Sequence, residues 1–232
     1  MSEATAVPST APAKSKTKTK AKTKPKTKRY QSPLYLALLP QIVLFASAVV
    51  LFWLSQKDMA GTVEYWEYFI PVIALISLIS GWSQSYLSDQ LSAWYLIKQV
   101  VHWGAVFALL YAANTQGLRE SLDAQQYTSI VIYLTALASL LAAMHMDFKL
   151  FFFSLFLVFC AYLLAVPADN AMLLYIGETV GIDDAESKTL SITIGMAVVG
   201  FIASTFVLLS MRGMVLSKRI SNKRIGNKHK EG

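Results

Sequence analysis

In the apolar stretch AWYLIKQVVHWGAVFALLYAAN, Lys98 and His102 stand four residues apart with Gln99 beside them. On a helix that spacing puts both on one face. A charge held at the centre of a membrane costs roughly 2.5 to 3.5 kcal/mol on insertion scales, so such residues ask for a reason. A second group, AAMHMD, brings His145 and Asp147 to the end of the next apolar run. At similar depth, Lys98, His102, His145 and Asp147 would form a polar face able to pass a cation or proton, or to hold an anionic substrate head. His102 would be the member that changes charge near neutral pH. The competing expectation is structural: Lys98 snorkels to the interface, His145 sits among headgroups, and His102 hydrogen-bonds a neighbouring helix. A third polar place is Pro40 with Gln41, where proline removes a backbone hydrogen bond and kinks a helix.

Other chemistry is not written in the chain. The third histidine, His229, stands in a basic tail, so no metal site is expected, and no cofactor. There is no GxxxxGK[ST], HExxH or GxSxG; GWSQS, at residues 81 to 85, lacks the final glycine. The pairs Glu64 with Glu67 and Asp183 with Asp184 read as solvated charge in connecting loops. No catalytic residue is assigned. The single cysteine, Cys160, lies in an apolar run and reads as a small buried or lipid-facing hydrophobe.

The elements that must position these residues are set by composition. The chain has 232 residues, 55% hydrophobic and 15% charged, with a mean hydropathy of +0.46. That exceeds what a soluble domain needs for its core. The fold class expected is all-α, a polytopic membrane protein with about six transmembrane helices and disordered basic N- and C-terminal tails. Segments of about 20 apolar residues, the length that crosses roughly 30 Å of hydrocarbon, fall near 34–55, 66–84, 93–113, 127–146, 148–166 and 190–211. The fourth and fifth, fused, would reach about 60 Å, so the chain must turn at Asp147. The resulting domains are a tail over 1–30, a membrane domain over 31–213 and a second basic tail over 214–232.

Charge placement sets the orientation. Of 21 Lys and Arg residues, 16 lie in positions 14–29 or beyond position 211, whereas 30–211 holds five basic and twelve acidic residues. The positive-inside rule then places both termini in the cytoplasm of a plasma membrane of the bacterial inner-membrane type, which six spans allow. Trp53 and Trp66 fall at the expected outer boundary, Trp82 and Trp94 at the inner one.

The N-terminal tail contains KSKTKTKAKTKPKTKR, a comb of Lys14, Lys16, Lys18, Lys20, Lys22, Lys24, Lys26, Lys28 and Arg29. It offers no apolar face, includes Pro25, and precedes a run too long for a cleavable signal. Its expected partner is the anionic lipid of the bilayer, each lysine gaining on the order of 1 kcal/mol near that surface. An acidic protein is the next choice. Nucleic acid is not favoured, because no aromatic residues interleave the lysines.

Small-residue stripes mark expected helix packing: Thr135, Ser139 and Ala142 with Ala138 in the fourth span, and Ala197, Gly200 and Ser204 with Thr193 in the sixth. FKLFFFSLFLVFCAYLL, bulky all round, reads as the outer helix of the bundle. AMLLYIGETVGI is too short to span and reads as an interfacial segment. The functional expectation is an accessory or scaffolding subunit of a membrane complex, meeting other membrane subunits or its own copies and touching the anionic leaflet or an acidic partner through its tails. The alternative is a small transporter or channel subunit built on the Lys98 and His102 face.

Overall fold

A computed structural model describes residues 34–87, 92–145, 148–166, 170–182 and 184–228. The comb from Lys14 to Arg29 lies outside them, as do Asp147, Asp183 and His229. Every regular element among the described residues is helical: α1 (Leu34–Lys57), α2 (Met59–Leu87), α3 (Ser92–Thr115), α4 (Leu118–Ser121), α5 (Ala124–His145), α6 (Leu150–Ala165), α7 (Ala171–Val180) and α8 (Thr189–Lys228). Five of them, α1, α2, α3, α5 and α8, are long and apolar enough to cross a membrane. In hydrocarbon, a helix satisfies its own backbone polar groups, which is why apolar runs of this length take that form.

Local signals set the boundaries. The connection expected at 56–65 contracts to Asp58 alone, whose carboxylate accepts from Gly61 N at 2.9 Å and so caps the start of α2. Asp123 does the same for α5, accepting from Gln126 N at 2.7 Å. Asn170, fully buried, accepts from Met172 N and Leu173 N at the head of α7, and Gly181, at φ 72°, ends that helix. The apolar segment AMLLYIGETVGI is thus a ten-residue helix, about 15 Å long, packed by Leu173 and Gly177 and exposing Leu174 and Tyr175.

The expected fifth span is the 16-residue α6, about 24 Å long and short of the roughly 30 Å of hydrocarbon. It stops at Val166, as the residue before Pro167 should. Ten of its residues are buried, so the helix read as the outer one is the core of the bundle. The physical reason is that bulk on all sides fits a helix enclosed by neighbours as well as one facing lipid. Its hairpin with α5 is closed at the far end by Gln125, which donates to Leu164 O at 2.9 Å and Ala165 O at 3.2 Å. Phe45 of α1 and Phe69 of α2 both meet Phe153 of α6 edge-on, at 5.4 and 6.2 Å between ring centroids. α8 lies against α1 and α6, and α3 leans on α2 and α5 from outside. Only 17% of the α3 span is buried, against 61% for α5.

α8 runs on to Lys228 without interruption, 40 residues or about 60 Å. The helix therefore continues through 214–228, where sequence alone places a tail without regular structure.

Candidate functional site

On α3, the buried stripe is Gln99, Trp103 and Val106, and the residues flanking it face outward. Lys98 is exposed, its Nζ 5.7 Å from the centroid of the Trp94 ring one turn earlier. His102 is half-buried and its Nε2 lies 3.0 Å from Ala138 O of α5. His145 is exposed at the end of α5, with Nδ1 3.0 Å from Leu141 O of its own helix. Among the described residues no hydrogen bond or ion pair joins Lys98, His102 and His145, and Asp147 lies outside that set. Lys98, His102 and His145 thus stand at an exposed surface, a helix contact and a helix end.

The polar group that α3 does bury is the one passed over. Gln99 is 0% exposed; its Nε2 donates to Tyr95 Oη at 2.6 Å and to Ser77 Oγ at 3.2 Å, and its Oε1 accepts from Trp103 Nε1 at 2.9 Å. A buried amide needs such partners, and this one fastens α3 to α2. The sequence signal was present in the i, i+4 spacing of Tyr95, Gln99 and Trp103. A glutamine without charge simply draws less attention than the lysine beside it.

A second polar chain crosses the other side of the bundle. Gln41 Nε2 donates to Ser204 Oγ at 2.6 Å, and Ser204 Oγ donates to Lys149 O at 3.1 Å. Lys149 Nζ reaches Ser80 Oγ at 3.1 Å, so α1, α8, the α5–α6 turn and α2 are linked in series. Gln41 Oε1 is buried and finds no hydrogen-bond partner among the described residues, and the same holds for Thr128 Oγ1 and Ser139 Oγ.

The packing residues lie between helices. Thr135, Ser139 and Ala142 of α5 are buried, as are Ala197 and Ser204 of α8. Gly200 is half-buried, and a Cβ there would stand 3.0 Å from Phe45 Cε1, so a larger residue at this approach of α8 to α1 would have to displace the Phe45 ring by a few tenths of an ångström. Trp66 faces into the bundle: it is 1% exposed and donates to Ser55 Oγ at 2.8 Å. Cys160 is fully buried.

Between α2, α4 and α5, Arg119 bridges Glu64 at 3.2 Å and Glu67 at 3.7 Å, and Tyr127 Oη donates to Glu67 Oε1 at 2.7 Å. The hydrogen bond that Arg119 donates to Glu64 raises the pKa of its guanidinium above the ordinary value, so its charge is fixed at any working pH. The carboxylates at 64 and 67, read as solvated charge, are joined by this latch. Nearby in sequence to α7, an open depression of about 410 Å³ is rimmed by Asp184 and Glu186.

The chain matches no protein-family model, and it has no significant match among curated proteins or solved structures. Its function must be argued from its own geometry.

Proposed function

We propose that the chain is an integral-membrane accessory or scaffolding subunit, which meets a partner within the bilayer along the outward face of α3. The observation that carries this reading is the exposure of small residues there. Gly104, Ala105 and Ala108 are exposed, and a Cβ added at Gly104 would meet nothing within 4 Å. Small residues one turn apart let a second helix approach closely, which is the main way helices associate where lipid removes the hydrophobic drive. Around them stand exposed Val101, Phe107 and Tyr111, which add contact area. Support for the scaffold thus moves from α6, which is buried, to α3.

In this reading both termini are cytoplasmic in a plasma membrane of the bacterial inner-membrane type, α6 completes six crossings, and the comb from Lys14 to Arg29 lies on the anionic leaflet. Salt-sensitive binding of a 14–29 peptide to anionic vesicles, lost on neutral ones, checks the last point. Nothing in the arrangement of Lys98 and His102 favours the transport alternative.

The test is co-purification in mild detergent. Gly104→Leu should leave the melting temperature unchanged, because its side chain enters open space, yet reduce recovery of a distinct partner subunit by about tenfold or more. A chain that purifies only as its own oligomer, unaffected by Gly104→Leu, would overturn the scaffold reading and favour the channel.

A further inference from the structure

The core of the bundle repeats itself. Leu44, Phe45 and Ala48, buried in α1, are matched 87 positions later by Val131, Ile132 and Thr135, buried in α5. Outward positions match too, since Val43 and Val50 are exposed and so are Ile130 and Leu137. The same interval carries Trp66, Phe69 and Ile73 of α2 onto Phe153, Phe156 and Cys160 of α6, all buried. At 94 positions, Gln99 and Trp103 of α3 fall on Thr193 and Ala197 of α8, again buried, the extra seven lying in the connection that carries α7. Neighbours in space obey the same rule. α1 packs on α2 as α5 does on α6; α3 packs on α2 and α5 as α8 does on α6 and α1; and α2 meets α5 as α6 meets α1. A common helical period can align one pair of helices, but it fixes neither one interval across two helices and their turn nor which helices touch. With three crossings in each half, the second half runs opposite to the first, as in an inverted repeat.

The halves are also tied at equivalent ends. Tyr127, at the start of α5, donates to Glu67 near the start of α2, and Arg119 braces Glu64 and Glu67. At the other end Gln41, near the start of α1, reaches Lys149 O at the start of α6 through Ser204. The interval of 87 takes Gln41 to Thr128, beside Tyr127, and Gln41 Oε1 and Thr128 Oγ1 are both buried with no partner among the described residues. Closure therefore costs free energy at each tie, and parting of the helices beside it would let the orphaned atom find a hydrogen bond. Between the ties the core is aromatic, Phe45 and Phe69 both meeting Phe153, so the middle offers a pivot and no polar path. We propose that α1–α3 and α5, α6 and α8 are inverted repeats forming a two-state hinge, in which the hairpins part at the α2–α5 end or at the α1–α6 end, one at a time. The inference rests on the reading of six crossings and is independent of the α3 seam.

Spin-label distances on the full chain in nanodiscs test it. Exposed pairs report the two ends: Tyr65→Cys with Gln126→Cys beside the first tie, and Leu39→Cys with Phe148→Cys beside the second. The combined change Arg119→Gln, Tyr127→Phe removes the first tie. A pivot of about 15° at the middle of α2, a helix about 44 Å long, should then lengthen the 65–126 distance by about 5 Å and leave the 39–148 distance as in the parent. Ser204→Ala removes the second tie and should do the reverse, and the undisturbed pair in each variant shows that the bundle is folded. The milder Glu67→Gln keeps an acceptor for Tyr127 and should open the first end in a smaller fraction of molecules. Unchanged distances in both tie variants, a response to only one of them, or lengthening at both ends together would overturn the hinge. Gly104→Leu should leave both distances as in the parent, which separates this result from failure of the α3 seam.

Discussion

At the scale of residues, the neighbours Lys98 and Gln99 exchange the importance their chemistry suggests. A lysine in an apolar run commands attention because its charge is expensive in hydrocarbon, but Lys98 is exposed with its Nζ over the Trp94 ring one turn nearer the helix start, and a stem of that length lets an ammonium reach the interface. Gln99 cannot escape, since it is wholly buried; its hydrogen bond to Ser77 fastens α3 to α2, while those with Tyr95 and Trp103 hold it within α3. Interhelical hydrogen bonds in membranes average about 0.6 kcal/mol with a ceiling near 1.7, so losing the one to Ser77, with the Trp103 donor left unpaired as well, should put Gln99→Leu near that ceiling. Lys98→Met should be silent, and His102→Leu should cost only about 0.6 kcal/mol for the contact with Ala138 O. Unfolding of the purified protein in detergent ranks the three; a larger effect at 98 than at 99 would contradict the burial pattern. In the sequence a bond from His102 to a neighbouring helix was one of two expectations, beside a polar face with Lys98, His145 and Asp147; charge drew attention ahead of burial, and only the helix phase reveals which residue points inward.

Among the elements, α6 shows most clearly where hydropathy stops being informative. A scan for apolar runs marks the segment, and the turn before it was legible because a fused helix would be too long for any bilayer. Its place in the bundle was not legible, because a helix with Phe, Leu and Val on every side has no phase to read. Burial decides it: Phe153, 1% exposed, packs on both Phe45 and Phe69, while Leu155, two residues on, is 48% exposed. Phe153→Ala should therefore open a cavity in the centre of the bundle and cost about 2 to 4 kcal/mol, chiefly through lost packing contacts. Leu155→Ala, on the outward side, should cost less than about 1 kcal/mol, because lipid replaces what is removed. Chemical unfolding in mixed micelles distinguishes them, and equal costs would return α6 to the periphery. The same logic explains α1 and α2, whose junction at Asp58 was hidden in a polar stretch that sequence reads as a loop. Asp58 followed by Gly61 is a capping signal, and it starts a helix that the charged residues after it do not interrupt.

For the whole molecule, the positions of the basic residues and the path of the helices give independent accounts of which ends lie together. The turn around Lys149 is joined to Ser204 of α8 and Ser80 of α2, whereas Arg119 of α4 meets Glu64 and Glu67 of α2. The second end is not purely acidic, since Arg119 stands there with Glu64 and Glu67; the bias that the positive-inside rule reads lies in the sequence, where 16 of 21 basic residues fall in positions 14–29 or beyond 211. The prediction is that Ser187 lies outside the cell and Ser221 inside. Cys160 is fully buried, so cysteines introduced at 187 or 221 would be the reactive thiols. In intact cells, a membrane-impermeant maleimide should label Ser187→Cys, which is exposed beside the start of α8, and should label Ser221→Cys only after the membrane is opened. The two positions are separated by 34 residues of nearly continuous helix, about 50 Å, which is more than one bilayer's hydrocarbon thickness. Labelling of both from outside would mean that α8 does not cross, and would remove the membrane frame on which the α3 seam depends. Labelling of Ser221→Cys alone would keep the bundle and invert it.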